Sequence, residues 1–254
     1  MGIGESVTLA SFLLFYFTFS FLVVTAVMES RILGRIWRRN APPRHAETLR
    51  VVSNRLVLFF LYGVIPVILI PRLFGVSLTG LGAALPGDWI SIGAMVLLSG
   101  VAVLVALTNP RRRQVTAEYP MIRLAEWSGA TVLANALSWT LYLLAYEFMF
   151  RGLLLYSLVP LGVPLAIAVN VSLYVTTHLV KNLQEGIASF PFGILLCGLT
   201  LYSGSFVPAF VIHLALALAT THGSLALHPR MSIKMGRQRK GPFSDEIIPR
   251  GSTE

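Results

Sequence analysis

Glu147 and Arg151 stand four residues apart in the stretch "LYLLAYEFMFRGLLLYSLVP", which is otherwise as apolar as a membrane span. On a helix they share one face, and the acid lies on the N-terminal side, the better order for pairing. A charge at the bilayer centre costs at least about 2.5–3.5 kcal/mol, so an ion pair kept there marks a functional site by default. The plainer reading is a pair that only fixes the orientation of its helix. Two histidines occupy similarly apolar runs: His178 in "VNVSLYVTTHLVKN" and His213 in "GSFVPAFVIHLALALATTHG". Each alone reads as a hydrogen-bonded packing residue. Taken with Glu147 they form a set that can bind a metal or activate water, because imidazoles and a carboxylate hold protons and cations near neutral pH.

The elements that must position these residues are apolar runs of about 17–25 residues, long enough to cross a bilayer as helices. Seven are expected, over residues 8–28, 54–71, 90–108, 131–158, 163–180, 187–203 and 206–222. In lipid every backbone amide needs a partner within its own segment, so helices are the economical structure and the fold class is an all-α polytopic membrane bundle. If the fourth and fifth spans turn antiparallel around "VPLGVP", positions whose numbers sum to about 323 share a depth, and Glu147 and His178 then lie within a few ångströms of each other along the helix axes. Asn170, Tyr174 and His178 recur every fourth residue and line one face of the fifth span. That stripe either borders a cavity or serves as hydrogen-bonding glue between helices. Gly193 and Gly198 read as points of close helix approach.

Composition supports the membrane reading: 55% of the 254 residues are hydrophobic and 12% charged, with a mean hydropathy of +0.74. No basic region precedes the first apolar run, which is therefore expected to be a retained helix rather than a cleaved signal. Cys197, the single cysteine, excludes an internal disulfide. Seven arginines from Arg31 to Arg55, four from Arg111 to Arg123, six basic residues from Arg230 to Arg250 and Lys181 make 18 of the 20 basic residues. Seven spans put all of these on one side, which the positive-inside rule makes cytoplasmic, with the N-terminus outside. The net charge of +9 is then explained by topology and anionic lipid headgroups, and no nucleic-acid partner is expected. The polar stretch after residue 222 reads as a poorly ordered cytoplasmic tail.

Four elements together resemble the CPBP intramembrane proteases, which include the type II CAAX prenyl endopeptidases and the bacteriocin self-immunity group. They are Tyr146-Glu147-x-x-x-Arg151, Tyr174-x-x-x-His178, Phe190-x-x-Gly193 and His213-x-x-x-Ala217. The family pattern has the first of two adjacent glutamates where this chain has Tyr146, and Asn or Asp where it has Ala217. The resemblance covers residues 130–222, with 1–129 as preceding spans and basic loops and 223–254 as the tail. It implies an intramembrane endopeptidase acting on a membrane-anchored or prenylated protein or peptide. Glu147 and His178 would activate water, with or without a divalent metal such as zinc held by Glu147, His178 and His213. His213 would stabilise the oxyanion, and Arg151 would orient Glu147. Two other readings stand beside it. One is a silent relative that binds a membrane partner; the other is a small transporter, since buried Glu, Arg and His also build relays.

Overall fold

The computed structural model describes residues 2–29, 32–109, 112–234 and 246–249. Arg31, Arg111, Arg237, Arg239, Lys240 and Arg250, which entered the charge count, lie outside the described residues. Helices dominate: α1 (Ile3–Glu29), α2 (Ile32–Asn40), α3 (Pro43–Phe74), α4 (Trp89–Thr108), α5 (Arg112–Glu118), α6 (Gly129–Leu161), α7 (Val163–Leu179), α8 (Leu183–Ser203) and α9 (Val207–Leu227). Six of them, α1, α3, α4, α6, α8 and α9, are long and apolar enough to cross a membrane. This is an integral membrane protein with an all-α bundle fold. The expected fifth span is α7, which has only 17 residues and so reaches about 26 Å, somewhat less than a hydrocarbon core of about 30 Å. The parity of the crossings rests on this helix.

The chain divides into two compact units that each draw on several stretches. The first comprises 1–22, 59–97 and 143–212; the second comprises 23–58, 98–142 and 213–254. In the first unit α7 packs most extensively against α8. Gly193 marks the approach, since a Cβ there would stand 3.1 Å from Tyr174 Cδ1, whereas Gly198 faces open space. The turn between the two helices is fixed by Asn182, whose side-chain Oδ1 accepts the Glu185 N–H at 2.8 Å and caps α8. At the other end α8 stops at Gly204, whose φ of 67° lets the chain reverse before α9. Ala10, Leu155, Leu158, Ala166, Val171 and Cys197 form a buried apolar cluster in this unit.

Two long helices change pitch midway. Phe60–Val64 in α3 and Phe148–Leu154 in α6 are π-helical turns. Such a turn shifts the backbone hydrogen bonds by one residue and leaves carbonyls to be satisfied from outside. Both do so in the same way. Tyr16 donates its hydroxyl to the Leu61 carbonyl at 2.6 Å, and Asn170 Nδ2 donates to the Phe150 carbonyl at 2.6 Å.

In the second unit the segment expected as a loop from Glu29 to Ser53 is mostly helical, and the tail is not a free polar extension. A two-stranded parallel sheet pairs β1 (Glu126–Trp127) with β2 (Ser232–Ile233), and the Ile248 N–H reaches the Arg123 carbonyl at 2.8 Å. Ile122, Leu124, Trp127, Leu225, Met231 and Ile248 bury one another there. Arg123, counted above with the basic loop residues, is 2% exposed. Its guanidinium donates to the carbonyls of Thr116, Ile248 and Pro249. The expectation of an unstructured tail therefore fails for residues 228–234 and 246–249. Backbone pairing and apolar burial hold them, and the polar composition did not reveal either.

Candidate active site

The pair singled out from the sequence forms inside the first unit. Arg151 Nη1 lies 3.1 Å from Glu147 Oε2, and both side chains are fully buried. Glu147 ends the regular part of α6 and Arg151 sits within the π turn that follows. Charge rather than a well-formed hydrogen bond joins them, because no N–H of Arg151 meets an acceptor in good geometry. Beneath the guanidinium lies the Tyr174 ring, 4.2 Å from Arg151 Cζ to its centroid, a cation–π contact strengthened by desolvation.

Tyr174 also links the pair to the first histidine. Its ring centroid is 4.4 Å from that of His178. His178 Nδ1 lies 2.9 Å from the Tyr174 carbonyl, and a carbonyl can only accept, so Nδ1 carries a proton there and the basic lone pair of a neutral ring would lie on Nε2. His178 is half-buried near the C-terminal end of α7, whereas Glu147 and Arg151 are sealed. The cluster is therefore approachable from the His178 end.

The depth argument from the sequence is realised by neighbours of the chosen residues. The hydroxyls of Tyr146 and Thr177 meet at 2.8 Å, and the Tyr146 ring stands 6.5 Å from that of His178. Tyr146 is 3% exposed and packs among Tyr62, Phe150 and Tyr174 with centroids 4.6–6.3 Å away. At Asn170 the stripe on α7 serves as glue between helices. Asn170 bridges α6 and α8, accepting from Cys197 Sγ at 3.2 Å while donating to Phe150. Tyr174 lies against Arg151 and its ring neighbours that of His178.

Several contributors had no signal in the sequence. The π turn has none, and neither does Gly152, where a Cβ would stand 3.2 Å from the Leu81 carbonyl. Gly63 is similar: a Cβ there would approach Ala145 Cβ to 2.9 Å, so α3 passes α6 directly beside Tyr146. His213 is half-buried on α9 and belongs to the second unit. Among the described residues no group of three or more His, Cys, Asp or Glu side chains could hold a metal ion. Glu147 already faces a guanidinium, and a second cation there would meet like charge. These residues do not fit a metal centre.

Residues 127–219 match the family of Type II CAAX prenyl endopeptidase Rce1-like proteins. Over these residues the chain is similar to that family. The match covers about a third of the sequence and takes in α6, α7, α8 and most of α9. No curated protein and no solved structure matches the chain. At the family level the CAAX-type assignment is that of a membrane protease, and the cluster around Glu147 falls inside the matched segment.

Proposed function

We propose that this CAAX-type protein is an intramembrane endopeptidase that hydrolyses a peptide bond in a membrane-anchored protein or peptide. The supporting observation is the grouping, inside the family-matched segment, of a sealed Glu147–Arg151 pair with His178 through the shared face of Tyr174. His178 Nε2 takes a proton from water, and the resulting hydroxide attacks the substrate carbonyl carbon. The same imidazolium then returns its proton to the leaving amine as the C–N bond breaks. Glu147 supplies the negative charge that favours the imidazolium, and Arg151 fixes where that carboxylate points. The role of oxyanion donor falls to His213 by resemblance alone. No step is routed through a metal.

A second reading is a silent relative that binds a membrane partner, and one observation favours it. Tyr146, at the position of the family's first glutamate, is built into an aromatic cluster and bonded to Thr177, so it serves packing rather than proton transfer. Proteolysis of a panel of membrane-anchored peptides by the purified protein, beside His178→Ala, separates the readings. Cleavage that His178→Ala abolishes supports the peptidase. A parent inert to the whole panel, with Tyr146→Glu plus Ala217→Asn gaining cleavage, supports the silent relative. The topology goes with the proposal: N-terminus outside and tail in the cytoplasm. Cysteines placed at Ala41 and Gly241 in a Cys197→Ser background should label from the same side, and opposite accessibility removes that topology.

A further inference from the structure

Another buried arginine of the second unit, Arg55, has no counter-ion among the described residues. Arg55 is 4% exposed, and no carboxylate among the described residues lies within ion-pair distance of it. One arm of the guanidinium is fully engaged: Nη1 donates to Asn135 Oδ1 at 3.0 Å, to Ser138 Oγ at 2.9 Å and to the Asn135 carbonyl at 3.3 Å. The opposite edge, where Nε–H and Nη2–H point in parallel, is the side that grips oxyanions in a fork. On that edge Nε has no partner, and Nη2 has only Met121 Sδ at 3.7 Å, a weak acceptor.

Two further donors without partners lie beside the guanidinium. Trp139 lies under the guanidinium, 4.0 Å from Cζ to the ring centroid, and its indole N–H is buried with no partner. Asn135 Nδ2 is likewise buried without a partner. Turning the amide over would not relieve it, since that would place N–H groups against a cation. A buried donor left unsatisfied is costly, and here three lie around one uncompensated positive charge. A tetrahedral oxyanion supplies both the missing charge and the missing lone pairs.

Position indicates which anion. Arg55 stands at the junction of α3, with Arg44, His45, Glu47 and Arg50 before it and no charged residue from Leu56 to Pro71 after it. On a membrane-crossing helix that junction lies at the depth of phospholipid headgroups. Met121, half-buried and flexible, covers the fork and can swing aside.

We propose that Arg55, Asn135 and Trp139 form a phosphate-binding site, filled by the headgroup of an anionic phospholipid or by free phosphate, with Met121 as its movable cover. The full chain, purified in detergent and stripped of lipid, is melted with phosphatidylglycerol or with inorganic phosphate at matched ionic strength, and retained lipid is counted by native mass spectrometry. The parent should melt higher with ligand. Asn135→Asp, which supplies the missing negative charge internally, should melt higher than the parent without ligand and lose the ligand response. Trp139→Phe keeps the ring and removes one donor, and should need about tenfold more ligand for the same gain. A response to phosphatidylglycerol alone identifies the headgroup; an equal response to inorganic phosphate identifies the free ion. A parent indifferent to both, or a response undiminished in the two variants, overturns the site, and should Asn135→Asp fail to fold the Trp139→Phe comparison decides alone.

Discussion

Two buried arginines, one in each unit, solve the same problem differently. Arg151 and Arg55 both lie over an aromatic ring, at 4.2 and 4.0 Å, and both are withdrawn from water. Arg151 has Glu147 at 3.1 Å and few formed hydrogen bonds. Arg55 makes three hydrogen bonds through one nitrogen and has no carboxylate partner among the described residues. The first is balanced in charge and loosely bonded. The second is bonded but uncompensated, which suits a place where an anion arrives. Burial alone does not say what a charge is for; the partners it still lacks do.

The largest expected effect tests the balanced site. Removing one partner of a buried pair leaves an uncompensated charge and typically costs about 3–5 kcal/mol. Glu147→Gln and Arg151→Met should each lower expression and melting temperature sharply, and the double variant should recover most of the loss. Single variants that melt like the parent would show that the pair does not form. Arg55→Gln removes a charge that had no partner to strand, so its loss should be limited to hydrogen bonds, about 1–2 kcal/mol. A loss as large as that at Arg151 would reveal a hidden counter-ion and erase the contrast.

Activity sharpens the comparison from the other side. Where turnover is measured, His178→Ala should reduce it by about a hundredfold or more, as expected for removing a general base. A variant of Glu147 that stays folded should do likewise. Tyr146→Phe should leave most of the rate, because its hydroxyl only anchors Thr177. If Tyr146→Phe proved as damaging as His178→Ala, the base would have been placed on the wrong residue. Arg55→Gln, outside the catalytic cluster, should leave kcat within about threefold.

The smallest effect is a pH dependence confined to the second unit. Burial, and then the nearby Arg123 and Arg230 charges, hold the His228 imidazole below its ordinary value of 6.5. The unfolded chain therefore binds a proton more readily than the folded one. Stability supplied by the neutral ring is complete above about pH 6.5 and falls as the pH drops toward the folded value. His228 Nδ1 accepts the Arg230 N–H at 3.2 Å, a bond that protonation removes. Melting curves between pH 7.5 and 5 should shift down in the parent and flatten in His228→Gln. A parent whose melting does not change over that range would show that the ring is not held neutral.

The sequence alone fixed the helical membrane class, since long apolar runs leave the backbone no other partner than itself. It also fixed the Glu147–Arg151 contact, because spacing of four on a helix is local geometry and does not depend on the rest of the fold. The depth match between α6 and α7 was legible for the same reason: a short turn ties two rigid rods into register. Tertiary structure decided what periodicity does not encode. It placed the π turn after Glu147, brought Tyr174 against both Arg151 and His178, buried Arg55 and Arg123, which had entered only a charge count, and docked residues 246–249 on the segment after α5. Each of these depends on which distant side chain fills a gap or supplies an acceptor. That outcome is set by packing among segments far apart in the chain, where a single residue's type carries no signal.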